Sequence, residues 1–179
     1  MFIIKLINIL KNTPMKSLIV YYSHSGSTEK LSKELQTLLN ADVLKLQPDP
    51  DLGNPSFLNY IKGGWHVLRK HLPKLTNKQV NIDDYDLIAI GTPVWFGSFT
   101  PAIRSFLKDN PIKNKKLVLF ANHRGGLGNT FSALEKAIGI DKNQNQIISE
   151  FALNHKYSAD EQSRFVQEWF TEIMNYLER

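Results

Sequence analysis

The stretch SLIVYYSHSGST, residues 17–28, joins a continuous apolar run to a cluster of hydroxyl side chains around one glycine. An apolar run such as Ser17–Tyr22 is typical of a strand that is buried on both faces of a sheet. The residues that follow, about 27–40, predict an amphipathic helix, since leucines recur there at helical spacing. Those leucines are Leu31, Leu35, Leu38 and Leu39. A strand that leads directly into such a helix indicates an α/β fold.

The same alternation of strand and helix continues to the end of the chain. Further strands are predicted at Val43–Leu46, Asp86–Gly91, Leu117–Ala121 and Gln146–Leu153. Further helices are predicted from about Pro101, over Asn129–Ile138 and from about Asp160. Five strands joined by helical crossovers predict one five-stranded parallel sheet covered by helices on both faces, a three-layer α/β/α sandwich.

Two segments do not fit this alternation. Residues 47–82 are long for one crossover and contain a predicted helix over Leu58–His71. This segment would be a lid that reaches a ligand through Tyr60 or Trp65. Alternatively, it is a loose crossover with Trp65 in the core. Residues 1–14 are apolar but too short to span a bilayer, and Met15 stands directly before the first strand. We expect 1–14 to be an extension upstream of the true start, 15–179 to be the folded domain, and the protein to be cytoplasmic.

Composition excludes several kinds of chemistry. The 179 residues include no cysteine, which rules out disulfides, thiolate catalysis, iron-sulfur clusters and Cys-ligated zinc. The five histidines form no HExxH and no other metal-ligand pattern, which argues against a metal site. The formal net charge is +5, but the Lys and Arg residues are scattered, so we expect no nucleic-acid partner. Any redox chemistry would have to come from a cofactor.

The loop after the first strand, Ser23–Thr28, places four hydroxyl side chains and Gly26 at the start of a helix. Free backbone N–H groups and the positive end of the helix dipole make this position suitable for a phosphate. The loop contains neither GxxxxGK[ST] nor GxGxxG, which argues against a nucleoside triphosphate and a dinucleotide fingerprint. Alternatively, Ser27 or Thr28 only caps the helix.

The loops after the third and fourth predicted strands are also unusual. Residues 91–101 read GTPVWFGSFTP and place Trp95 next to Phe96, which is costly to expose unless a flat ligand covers the rings. The alternative is that one of the two packs beneath the next helix. Residues 122–128 read NHRGGLG and offer backbone N–H groups and a cation, or simply a flexible turn. Ligands of open parallel sheets bind at this carboxyl edge.

These three loops, in this order on these elements, resemble the flavodoxin-like FMN-binding family from about Met15 to the end of the chain. The resemblance implies strand order 2-1-3-4-5 and FMN as the cofactor, as in the flavodoxin example of this architecture. It also implies that no side chain need act as a catalytic acid or base, since the flavin carries the chemistry.

The resemblance further implies the residues that would hold FMN. The phosphate would be wrapped by Ser23, Ser25, Gly26, Ser27 and Thr28, with the role of His24 left open. The ribityl chain and the ring would be bordered by Pro93, Val94, Trp95, Phe96 and Gly97, with Trp95 or Phe96 against the ring. The pyrimidine side would be lined by Asn122, His123, Arg124, Gly125 and Gly126.

One departure from the acidic electron-carrier flavodoxins bears on function. The loops at 93–97 and 122–126 contain no Asp or Glu, whereas His123 and Arg124 stand in the second of them. Positive charge near the flavin favours two-electron reduction. The sequence therefore favours an oxidoreductase that takes electrons from NAD(P)H to a quinone-like small molecule.

Three other functions stay open. The chain could be an electron carrier between protein partners, or a binding module that has lost its flavin. A phosphoacceptor receiver domain uses the same sheet order but needs acidic residues after strands one and three, where this chain has Ser23, His24 and Thr92. The sequence leaves the oligomeric state open.

Overall fold

The computed structural model describes residues 15–51, 72–77 and 79–178. Five strands form one sheet in which every neighbouring pair is parallel. They are β1 (Ser17–Tyr21), β2 (Asp42–Lys45), β5 (Leu87–Pro93), β6 (Lys116–His123) and β7 (Gln146–Asn154). Their spatial order is β2-β1-β5-β6-β7. Numbered among these five alone, the order is 2-1-3-4-5, and the predicted fold class is confirmed.

Helices cover both faces of this sheet. The helices are α1 (Ser27–Leu39), α2 (Pro101–Asp109), α3 (Thr130–Ile138), the short α4 (Ile140–Asn143) and α5 (Ala159–Leu177). Helices α1 and α5 share one hydrophobic core, which includes Leu31, Leu35 and Trp169. Helices α2 and α3 share the other, which includes Phe106 and Leu134. None of the helices in the described parts of the chain has the length and apolar character of a membrane span.

The first strand shows why both faces must be covered. Leu18 and Val20 contribute to the core beneath α2 and α3, whereas Ile19 and Tyr21 contribute to the core beneath α1 and α5. Successive side chains of a strand point to opposite faces, so an uninterrupted apolar run is stable only when both faces are buried. The composition of β1 thus requires the three-layer arrangement.

The final helix combines a clear start with a well-packed apolar face. The Ser158 hydroxyl accepts from the Glu161 N–H, and the Glu161 carboxylate accepts from the Ser158 N–H, a reciprocal capping box. Trp169 stacks on Phe151 with ring centroids 4.5 Å apart, and its Nε1 donates to the Ser149 hydroxyl at 3.0 Å. Helix α5 therefore begins at Ala159, one residue before the predicted start.

Two central strands are longer than predicted. β5 reaches Pro93 rather than Gly91, and β6 reaches His123 rather than Ala121. Pro93 pairs with Asn122, and the Val94 N–H continues the ladder to the Asn122 carbonyl at 2.9 Å. Backbone pairing, which apolar patterning does not reveal, sets these ends. Pro93, Asn122 and His123 are thus strand residues and not loop residues as expected.

A second, two-stranded sheet was not predicted. β3 (Pro48–Asp49) pairs antiparallel with β4 (Lys74–Leu75), and the Thr76 N–H donates to the Gln47 carbonyl at 3.0 Å. The end of β3 and the start of β4 therefore lie side by side, next to the carboxyl end of β2. The helix predicted over Leu58–His71 and the extension predicted over 1–14 lie outside the described residues.

We predict that Gly91→Ala destabilises the fold by about 1–3 kcal/mol, because overpacking a filled core forces neighbours to shift. A Cβ at Gly91 would lie 2.2 Å from Cζ of the buried Phe120 ring. Urea unfolding measures the change. Gly126→Ala is the control, since a Cβ there meets no atom within 4 Å. Phe120→Leu should offset part of the loss in the double variant, and purely additive effects would contradict the proposed clash.

Candidate functional site

Three loops converge at one edge of the sheet because β1, β5 and β6 are adjacent and parallel. The loops follow Tyr21, Pro93 and His123, the last residues of these strands. In this class of sheet the carboxyl edge at the reversal of strand order is the ligand site. The strand order reverses at β1. The chain runs from β1 to β2 on one side of it, and after β2 it crosses to β5 on the other side of β1.

The first loop presents an uncapped helix N-terminus. Gly26 is the N-cap residue of α1 with φ of 88°, and no side chain caps the helix. The alternative that Ser27 or Thr28 only caps the helix is therefore wrong, because both lie within its first turn. The Gly26 N–H instead donates to the Ser23 hydroxyl at 3.1 Å, which shapes the turn. The first-turn N–H groups have no intrahelical acceptor, so an anion could bind them.

The second loop is a two-residue hairpin turn that separates the two adjacent aromatics. Trp95 and Ser98 exchange backbone hydrogen bonds of 2.9 and 3.0 Å. Both central residues have positive φ, 49° at Phe96 and 69° at Gly97, as a type I′ turn requires. Trp95 is only 8% exposed, whereas Phe96 at the tip is 48% exposed. The structure thus places Trp95 in the core, and of the two rings Phe96 is the one at the surface.

Buried Trp95 joins the first and second loops. Its ring makes edge-to-face contacts with Tyr22 and His24, at centroid separations of 5.7 and 5.8 Å. The Tyr22 hydroxyl donates to the Asp51 carboxylate at 2.8 Å. Burial, together with this hydrogen bond, raises the pKa of Tyr22 well above its usual range, so the phenol stays protonated. The contribution of Tyr22 and Asp51 was not predicted, since the two residues are far apart in the sequence.

The second and third loops are joined by their backbones. A Cβ at Gly128 would lie 2.4 Å from the Gly97 Cα, so only glycine permits this contact. The Asn129 N–H donates to the Gly97 carbonyl at 2.8 Å. At the base of the second loop, the Thr92 hydroxyl accepts from the Thr100 N–H at 3.1 Å. Gly97, predicted to border a cofactor, is thus also the residue that fixes the spacing of the loops.

The start of α1 and the end of β6 contribute buried polar atoms to this edge, and the third loop contributes exposed residues. Among the described residues, four buried side-chain polar atoms lack a hydrogen-bond partner, and three of them belong to Thr28, Asn122 and His123. An unpaired buried polar atom costs about 1–3 kcal/mol and calls for an explanation such as a ligand. Arg124, Gly125 and Gly126 are exposed. The residues at this edge therefore fit a polar ligand with a phosphate and a flat ring, as FMN is.

The charge at this edge comes mainly from Arg124. Burial lowers the pKa of His123, so its imidazole is neutral at pH 7. The pKa of His155, which donates its N–H to the His123 carbonyl, is lowered by burial and then by Arg124 and His123. The cation of this loop at neutral pH is therefore Arg124. Across residues 15–51, 72–77 and 79–178, no three His, Cys, Asp or Glu side chains form a possible metal site.

We predict that Arg124→Ala raises the pKa of His155, because it removes a positive charge that disfavours imidazole protonation. The rise should be small, since solvent screens the exposed guanidinium. Histidine NMR titration measures it, and Arg164→Ala is the matched control. An unchanged His155 titration in Arg124→Ala would contradict the electrostatic contact.

The same lowered pKa values predict how stability depends on pH. Folding favours the neutral imidazoles of His123 and His155, so their contribution is fully present above the ordinary pKa of 6.5. It should be lost progressively as the pH falls below 6.5.

Comparison with known proteins agrees with the fold described above. A protein of Methanocaldococcus jannaschii without assigned function is 29% identical over 109 residues, 60% of this chain and 53% of that protein, so the match spans about half of the relative's length. A Lactobacillus acidophilus flavoprotein solved in complex with FMN has a TM-score of 0.66 at 18% identity, covering 87% of this chain and 98% of that one. An NADPH-quinone reductase from P. pentosaceus has a TM-score of 0.57 at 13% identity, with coverages of 88% and 96%. The family model described as Flavodoxin matches residues 16–172, and the chain belongs to the flavodoxin family.

Proposed function

We propose that the protein binds FMN at the carboxyl edge of β1, β5 and β6 and passes electrons from NAD(P)H to a quinone-like small molecule. The observation that carries the proposal is the convergence there of an uncapped helix start, an exposed aromatic ring and the unpaired buried polar atoms of Thr28 and His123. Bound FMN would supply the hydride and electron transfer, and the protein would supply binding, orientation and electrostatics.

The first and second loops would have separate tasks. The N–H groups at the start of α1, with the hydroxyls of Ser25 and Ser27 3.4 Å apart, would hold the phosphate. Phe96 would cover one face of the ring, because it is exposed at the tip of a turn whose position is fixed by the buried Trp95. Trp95 would therefore act by placing Phe96 and not by stacking itself.

The third loop favours an oxidoreductase over a carrier. Arg124 places a permanent positive charge in the loop that follows β6, and residues 122–128 contain no Asp or Glu. A cation close to the ring stabilises the negative charge that develops on reduction, which favours uptake of two electrons. The likeness to the NADPH-quinone reductase extends to the fold alone, so this electrostatic argument carries the choice.

The decisive test is the absorbance spectrum of the protein after incubation with FMN and desalting, followed by anaerobic NADPH or NADH. Retained flavin bands near ~450 nm that bleach with either nucleotide are the expected result, because hydride would pass to the bound cofactor. Bands that persist would indicate a carrier reduced by a partner protein. A protein that retains no flavin would contradict the proposal and favour a binding module.

Phe96→Asn should stabilise the FMN-free protein by about 0.5–1 kcal/mol and weaken FMN binding about tenfold. Asn tolerates positive φ, and Asn-Gly is the preferred pair of a type I′ turn, whereas a phenyl side chain is strained there. The loss of ring contact would reduce affinity by about 1.4 kcal/mol, within the range of aromatic stacking. Thermal unfolding and flavin fluorescence titration measure the two effects.

The matched control is Phe96→Tyr, which keeps both the aromatic ring and the strained backbone. It should bind FMN like the parent and gain no stability. If Phe96→Asn bound FMN as tightly as the parent, the role of Phe96 against the ring would be refuted while the proposed phosphate site would stand.

A further inference from the structure

A cavity of about 190 Å³ lies between α1 and α5, at the carboxyl ends of β6 and β7. Its apolar lining is formed by Leu31, Leu153 and Val166. Its polar lining includes Lys30 and Glu34 of α1 together with Gln162 and Ser163 of α5. It is on the sheet face covered by α1 and α5, and the residues from β7 and α5 belong to none of the three loops described above.

The buried end of this cavity contains an unsatisfied amide. Asn122 is 3% exposed, and its Oδ1 has no hydrogen-bond partner. Strand alternation explains its direction, because Phe120 two residues earlier lies in the core beneath α1 and α5. The Asn122 side chain accordingly lines the cavity, on the opposite face of the sheet from Ala121. A buried amide with a free acceptor calls for a ligand that donates to it.

The open end carries charge of both signs. Lys30 is exposed and forms no ion pair with another described residue. Glu34 lies one turn further along α1 and also lines the cavity. An ammonium group suits a phosphate, and a carboxylate suits a ribose hydroxyl, as in dinucleotide-binding sheets. The cavity therefore has a buried amide at one end, apolar side chains along its length and a cation at the other end.

We propose that this cavity binds the adenine base of an adenine nucleotide, with the phosphate directed to Lys30. The side-chain amide of asparagine pairs with the N6 and N7 edge of adenine, donating to N7 and accepting from the N6 amino group. Leu31, Leu153 and Val166 would lie against the base, and Glu34 would accept from the ribose. The volume is below the ~300–1,000 Å³ of sites that enclose a whole drug-sized ligand, which fits one base and not a dinucleotide.

The site also suggests how a dinucleotide reductant would be held, a step that rests on the proposed function. Ser27 and Asn122 belong both to the cavity lining and to the predicted FMN-binding set. A nucleotide whose base occupies the cavity would therefore lie directly beside bound FMN, with Asn122 turned to the base and the first-turn N–H groups of α1 left to the FMN phosphate. The cavity would anchor the adenosine end of NAD(P)H and leave its nicotinamide end to meet the flavin edge.

The test is calorimetric titration of the full-length, FMN-loaded protein with 5′-AMP, using GMP as the comparison ligand. We expect saturable 5′-AMP binding and at least about tenfold weaker GMP binding, since guanine presents an acceptor where adenine presents its N6 donor. Ser163→Phe should weaken 5′-AMP binding about tenfold or more by filling the cavity. Gln167→Phe, also exposed on α5 but outside the cavity lining, should bind 5′-AMP like the parent.

Lys30→Glu provides a second variant, and Lys136→Glu on α3 is its control. Lys30→Glu should weaken 5′-AMP binding but leave adenosine binding nearly unchanged, because only the nucleotide carries the phosphate. The proposal is overturned if 5′-AMP does not bind, if it binds only to FMN-free protein, or if Ser163→Phe binds it like the parent. If the bound flavin bleaches with NADPH but the protein does not bind 5′-AMP, this site is refuted and the proposed function stands. If the protein binds 5′-AMP but the bound flavin does not bleach, only the proposed function is refuted.

Discussion

Burial of β1, β5 and β6 on both faces is the constraint from which the rest of the structure follows. A backbone N–H or C=O in such a strand can reach no solvent, so the neighbouring strands must satisfy it. Leu87, Ile88, Leu117 and Val118 are each completely buried, and every one lies in the paired register between β5 and β6. That register leaves little freedom for one strand to slide past another. It also brings the three strand ends, and hence the three loops, to one edge of the sheet.

The loops themselves are held by close backbone approach and aromatic packing, with few side-chain hydrogen bonds between them. Gly97 against Gly128 sets the distance between the second and third loops, and Trp95 against His24 joins the second loop to the first. Phe96 is then placed at positive φ, which costs of order 1–3 kcal/mol in a residue of its size. Such strain persists where surrounding structure overdetermines the conformation, and ligand sites are where it is commonly found. The backbone that carries the ring is thereby held in position before any ligand binds.

Much of the fold could be predicted from the sequence, because its decisive signals are local. The apolar run of β1 predicts a doubly buried strand, and the apolar stripe of α5 predicts a long helix with one covered face. The positions of the three loops follow from these elements, while the strand order came from the resemblance to a known family. The turn at Phe96 and Gly97 could also be suspected, since glycine there permits a tight turn, but the choice between Trp95 and Phe96 as the buried ring could not.

What the sequence did not reveal depends on contacts between distant segments. The ends of β5 and β6 are set by the pairing of Pro93 with Asn122, and neither residue has the apolar character by which strands are recognised. The hydrogen bond from Tyr22 to Asp51 and the antiparallel pair β3–β4 likewise join separated parts of the chain. The lowered pKa of His123 also follows from its burial in the fold, which the sequence does not show.

The pairing of Asp49 with Lys74 has a consequence for how this architecture can change. Because the ladder brings both ends of the intervening chain together, the cost of altering its length grows only slowly, by about 0.6 kcal/mol for each doubling. The five parallel strands need not repack when that chain is lengthened, shortened or exchanged. Its ends nevertheless lie beside β2 and close to Tyr22, within reach of the ligand edge. The β3–β4 ladder therefore allows segments of different length to be inserted between the same two anchoring strands without a change in the five-stranded sheet.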